Sequence, residues 1–151
     1  MTAGTPPARV PPAHRRPGLV VLVAAGGAVG TAARFGLAQA WPAVDGWPVA
    51  TFAANVLGAF VLGWLLESLA ARGPETPAVQ RVRLAVGTGV LGGFTTFSSL
   101  ALETERLLAS GAVGQGLAYA LGTLLLGYLA CLAGVLLGSG RRPGQGSRGT
   151  R

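Results

Sequence analysis

The chain has 151 residues, of which 50% are hydrophobic and only 11% charged, and its mean hydropathy is +0.53. Twelve basic residues, all arginine, face five acids for a formal net charge of +7. These values exclude an ordinary soluble domain, in which about a quarter of residues are charged, a disordered chain, which is poor in apolar residues, and a nucleic-acid binder, which sets its basic charge on a polar fold.

Residues 1–18 hold Pro6, Pro7, Pro11, Pro12 and Pro17 and read as a flexible N-terminal tail. The first apolar run is uncharged from Pro17 to Ala33 and resumes after Arg34. About 20 such residues, rising about 1.5 Å each, cross the hydrocarbon core of a bilayer. Arg15 and Arg16 ahead of this run would also suit a secretory signal peptide. Three further runs of spanning length follow, which favours a retained helix. The spacing of charges predicts four spans near residues 19–40, 47–67, 82–103 and 114–138. Pro74 and Pro77 mark a short loop between the second and third, and residues 139–151 read as a flexible C-terminal tail. The expected fold class is therefore an all-α membrane protein with four transmembrane helices, its membrane domain covering 19–138. The single cysteine, Cys131, allows no intrachain disulfide.

Arginine placement sets the expected orientation. Arg9, Arg15, Arg16, Arg72, Arg81, Arg83, Arg141, Arg142, Arg148 and Arg151 fall on one side of the four spans, and Arg106 on the other. Both termini are expected to be cytoplasmic.

The spans carry small and neutral polar residues. Gly26 and Gly30, Gly89 and Gly93, and Gly134 and Gly138 offer close-packing faces, because helices in lipid associate through small residues. Four helices enclose little volume, so a dimer or larger assembly is expected. In the second span Thr51, Asn55, Ala59 and Gly63 share one face. An asparagine at that depth needs partners: it either bonds a neighbouring helix or donates to an aqueous path. The third span contains Gly92-Gly93-Phe94-Thr95-Thr96-Phe97-Ser98-Ser99. Paired glycines followed by hydroxyl residues make a poor continuous helix. Either it breaks near Gly92–Thr95, freeing carbonyls that can hold a cation, or its hydroxyls bond back to their own turns. In the fourth span Tyr119, Thr123, Gly127 and Cys131 share a face, as packing or as donors. Glu103 closes the third span, where it can cap or pair. His14, the single histidine, lies in the N-terminal tail. Without a nucleophile–base pair, a metal triad or a phosphate loop, an enzyme is not expected.

The run Gly92 to Ser99 followed by Glu103 resembles the signature of the CrcB/Fluc fluoride channels. Gly26 to Gly30 with Arg34 and Phe35 resembles that family's first-helix motif, Thr51 to Gly63 with Asn55 its second, and Tyr119 with Thr123 its fourth. The likeness spans about residues 19–138. It implies an antiparallel, dual-topology-type dimer with two narrow pores, a broken third helix, and a structural, non-transported Na⁺ held at the dimer centre by Gly92 and Thr95. It implies a fluoride path along Asn55, Phe97, Ser98, Ser99, Tyr119 and Thr123, and passive export of F⁻ that relieves fluoride toxicity. Arg34 and Glu103 are expected to be structural, Arg34 by satisfying carbonyls near a helix end. Two departures stand out. Leu100 occupies the place of the family's second phenylalanine, and the arginine bias is stronger than dual insertion suits. The partner subunit is then either a second copy or an oppositely oriented sister chain, with one pore of such a pair degraded by Leu100. A small multidrug-type exporter predicts a carboxylate within the first span, where this chain has Arg34. A non-conducting membrane assembly subunit predicts no ion flux.

Overall fold

The computed structural model describes residues 16–44 and 46–140. Both expected tails, with His14 and six of the tail arginines, lie outside the described residues apart from the stretches adjoining the helices. The described residues form helices and turns without a strand, and four helical stretches are long and apolar enough to cross a membrane: Pro17–Ala40, Val49–Ala70, Pro77–Ala109 and Val113–Ser139.

Helix α1 (Pro17–Ala40) opens on a proline at its first helical position. The missing N–H is no loss there, and the fixed φ suits the helix. It therefore starts two residues earlier than expected. A tight turn follows: Gly46 takes a positive φ of 82°, and Val44 and Trp47 exchange backbone hydrogen bonds of 3.1 and 2.8 Å. Helix α2 is Val49–Ala70. The expected loop before the third span instead contains a short helix, α3 (Pro77–Val82). The Thr76 side chain caps it by accepting the Val79 N–H at 3.3 Å, and Pro77 again starts the helix.

The third span continues as a π-helical segment, Arg83–Leu91, and a single turn, α4 (Gly92–Phe94). Thr95 (φ −82°, ψ 155°) and Thr96 (φ −152°, ψ 121°) are then extended. Helix α5 (Phe97–Ala109) follows. Gly111, at φ 82°, ends it: its N–H donates to the Leu108 carbonyl and that of Ala112 to the Leu107 carbonyl, each at 3.0 Å. This pairing satisfies carbonyls a helix end leaves open. Helix α6 (Val113–Ser139) completes the chain.

Glycine sets the packing. Helix α1 lies along the π-helical segment and α4, and α2 lies along α6, which also receives α5. A Cβ on Gly26 would overlap the Ala85 carbonyl, one on Gly30 the Val90 carbonyl, and one on Gly93 the Gly27 carbonyl. On the other pair of helices, a Cβ on Gly134 would overlap the Phe60 carbonyl and one on Gly63 the Cys131 carbonyl. Close backbone approach replaces the hydrophobic drive that lipid does not supply. Leu100, Leu107 and Tyr119 form a small buried cluster against which Trp47, Phe52 and Ala112 pack. Most leucines of α6 face outward, as a helix surrounded by lipid or another subunit requires.

Candidate functional site

The two extended threonines organise the site. Asn55, in the first half of α2, grips both backbone polar groups of Thr96. Its Nδ2 donates to the Thr96 carbonyl at 3.0 Å, and its Oδ1 accepts the Thr96 N–H at 2.8 Å. Backbone that leaves the helical pattern at membrane depth must find partners within the protein, and one amide side chain supplies both. The Thr96 hydroxyl caps α5, accepting the Ser99 N–H at 3.2 Å. It also donates to the Ser99 hydroxyl at 3.2 Å and lies 3.2 Å from that of Ser98. The Thr95 hydroxyl turns back to the Leu91 carbonyl at 2.9 Å, and its methyl occupies the space that Gly58 leaves open.

Because the Thr96 N–H points to Asn55, the Gly92 carbonyl loses the donor that a continuous helix would bring it. The next carbonyl, of Gly93, receives side-chain donors instead: Arg34 Nε at 3.3 Å and the Thr31 hydroxyl at 3.5 Å. Arg34 thus binds α1 to the end of α4.

A second group lies one turn further along α5. Glu103 accepts the Thr51 hydroxyl of α2 at 2.8 Å and the Tyr119 hydroxyl of α6 at 2.6 Å, so one carboxylate joins three helices. Tyr119 is wholly buried, and Trp47 stands edge-on to its ring with centroids 6.2 Å apart. Thr123 is buried and donates to the Tyr119 carbonyl at 2.6 Å.

An open-sided cavity of about 400 Å³ lies between α2, the π-helical segment, the start of α5 and α6. Asn55, Thr95, Thr96, Phe97 and Thr123 line it, together with Gly92, and none of its lining residues is charged. Phe97 stands at its rim, 76% exposed. Leu100 is buried at 6% exposure and forms part of the wall. Of the residues singled out in the sequence, Asn55, Gly92, Thr95, Phe97 and Thr123 therefore meet at one cavity. Ser98 and Ser99 gather at the Thr96 hydroxyl, Tyr119 joins Glu103, and Arg34 joins Gly93. Two participants are absent from the residues assigned to the path. Thr96 is the hub of the extended turn, and its spacing to Ser99 is a helix N-cap pattern that marks it. Thr51, on the same α2 face as Asn55, is the second.

The model of the CrcB-like protein family, described as Camphor Resistance (CrcB), matches residues 21–135. The chain is 52% identical over 128 residues to the fluoride-specific ion channel FluC 2 of Leifsonia xyli, covering 85% of this chain and 88% of that one. It is 48% identical over 116 residues to FluC 1 of Cutibacterium acnes, covering 76% and 81%. With FluC of Thermus thermophilus it shares 46% identity over 122 residues, covering 78% and 91%.

Proposed function

The chain belongs to the CrcB family, and on that premise we propose that it is a fluoride-specific channel, working as one half of an antiparallel dimer, through which F⁻ leaves the cytoplasm passively. The family is one of ion channels, so the chain is not an enzyme, and its four apolar helices make it a multi-pass membrane protein. The observation that carries the reading is the cavity lined by Asn55, Thr95, Thr96, Phe97 and Thr123 without a charged group. Fluoride is small and strongly hydrated, and a pore must replace its water with close donors. Amides and hydroxyls do so without a fixed cation that would hold the anion in place. The Thr123 and Thr95 hydroxyls rest on carbonyls, and rotation about χ1 exchanges that carbonyl for the ion. The edge of the Phe97 ring carries the positive end of its quadrupole, and its exposed position at the rim suits an anion passing it. Ser98 and Ser99, gathered at the Thr96 hydroxyl, are assigned to the continuation of the polar track, as is Tyr119 although its hydroxyl is engaged by Glu103.

The extended Thr95–Thr96 pair serves as the break in the third helix. A break and an open cavity cannot face lipid, which supports a second subunit covering this side. The carbonyls of Gly92 and Thr95 are suited to a structural Na⁺ at that junction, since the Gly92 oxygen has lost its helical donor to Asn55. A bound Na⁺ would offset the dipoles of backbone carbonyls that have no helical donor. Export follows from chemistry: HF enters neutral and ionises in the less acidic cytoplasm, and a negative-inside potential expels the anion.

The test is efflux from liposomes holding the purified protein, alone or with an oppositely oriented sister chain, in fluoride and in chloride and with and without Na⁺. Fluoride efflux without chloride efflux is expected, and Phe97→Ile abolishes it. Sealed vesicles in every arrangement overturn the reading. Fluoride flux that persists in Phe97→Ile removes the role of the ring.

A further inference from the structure

We propose that the cleft between the start of α1 and α3 binds the headgroup phosphate of an anionic phospholipid. This cleft, about 440 Å³, is separate from the neutral cavity and is lined by Arg16 at the N-cap of α1, by Gly18, Leu19 and Leu22 of α1 and by Gln80 and Arg81 of α3. Two guanidiniums and an amide thus share one concave space with two leucines. The arrangement is graded along the membrane normal. Arg16 immediately precedes α1, and Leu22, six residues on, lies about 9 Å deeper along a spanning helix. The cleft therefore straddles the boundary between headgroups and hydrocarbon, where phospholipid puts a phosphate over acyl chains.

Charge complementarity selects the occupant. Glu75, the acid of the loop that leads into α3, is held by Arg83 at 2.9 Å, an arginine that does not line the cleft. Guanidinium forks match phosphate oxygens in pairs, and basic pockets between membrane helices are favoured sites for anionic headgroups. A soluble phosphate or an acidic peptide would make no use of Leu19 and Leu22. A phosphatidylglycerol or a cardiolipin uses both ends of the cleft, and bridging α1 to α3 it tethers the first span to the third.

Native mass spectrometry of the full-length protein in detergent, with equal amounts of phosphatidylglycerol and phosphatidylcholine, tests this. Phosphatidylglycerol adducts should dominate, and Arg16→Gln or Arg81→Gln should each weaken them about fivefold. Arg106→Gln, on the opposite side of the membrane, should leave them unchanged. Equal retention of phosphatidylcholine, undiminished phosphatidylglycerol binding in Arg81→Gln, or displacement of the lipid by an equal concentration of inorganic phosphate each overturns the proposal. The readout is binding, so its failure leaves the fluoride reading untouched.

Discussion

Asn55 holds the backbone N–H and carbonyl of Thr96, which the third span does not pair for itself. Asn55→Ala removes both of its bonds to Thr96 and leaves an N–H and a carbonyl without partners. Each such group costs about 1–3 kcal/mol. Thermal unfolding in detergent should show the loss, and fluoride efflux should fall to the level of empty vesicles. Asn55→Asp keeps the acceptor for the Thr96 N–H but turns a carboxylate oxygen toward the Thr96 carbonyl, so it should fail as well. Unchanged melting and flux in Asn55→Ala would remove the clamp from the mechanism. Glu103 is the second junction. Glu103→Gln keeps the volume but converts one acceptor to an NH₂ group, and Tyr119→Phe removes one donor. A double-mutant cycle between them should show about 1 kcal/mol of coupling, and strict additivity would deny that the 2.6 Å contact stabilises the fold. At this scale the residue types were legible and their partners were not. Asparagine in mid-span announces a need for hydrogen bonds, but the choice between a neighbouring helix and an aqueous path depends on Thr96, far away in sequence. Thr123 bonds the Tyr119 carbonyl of its own turn and also lines the cavity, a double placement that its spacing in the sequence does not show. The Tyr119 hydroxyl turns to Glu103, a pairing that no local pattern encodes.

At the level of elements, glycine decides which helices meet. Gly30 and Gly36 both lie in α1, yet a Cβ on Gly30 would overlap the Val90 carbonyl while one on Gly36 meets nothing. Gly30→Ala must push α1 off the π-helical segment, and overpacking of this kind costs about 1–3 kcal/mol. Gly36→Ala gains the better helix propensity of alanine, worth up to about 1 kcal/mol. Melting temperatures of the two variants in detergent should therefore move in opposite directions, and a parallel shift would show that close backbone approach does not set the packing. The spans were legible because lipid imposes a length on apolar runs, and small residues at i and i+4 were legible as close-packing faces. Two things were not. The loop holding Pro77 becomes α3 because Thr76 supplies a cap, a local signal outweighed in the sequence by two prolines. The π-helical pattern of Arg83–Leu91 has no compositional mark of its own, because its glycines serve equally well in an α-helix pressed against α1.

For the whole molecule, the arginine bias bears directly on the proposed antiparallel pairing. Ten of its twelve arginines lie before the first span, between the second and third or at the start of the third, or after the fourth in the sequence, and such a bias favours insertion in a single orientation. The uncharged cavity beside Thr95 and Thr96 is open and is lined by residues of the spans, so on the proposed reading a copy inserted without a partner leaves it uncovered. Expressed by itself, the chain should therefore give mostly one orientation and little fluoride efflux per milligram. A sister chain of opposite bias should restore efflux. Replacing Arg141, Arg142, Arg148 and Arg151 by glutamine removes four of the ten without touching a span, and should bring reporter fusions toward equal populations in both orientations. Efflux from the chain alone should then rise in step, because antiparallel pairs form only where both orientations are present. Equal populations and full conduction with the native arginines would show instead that the tails do not set topology and that the chain pairs with itself. Rising orientation mixing without rising efflux would break the link between antiparallel pairing and conduction, and with it the requirement that the cavity be completed by a second, inverted subunit.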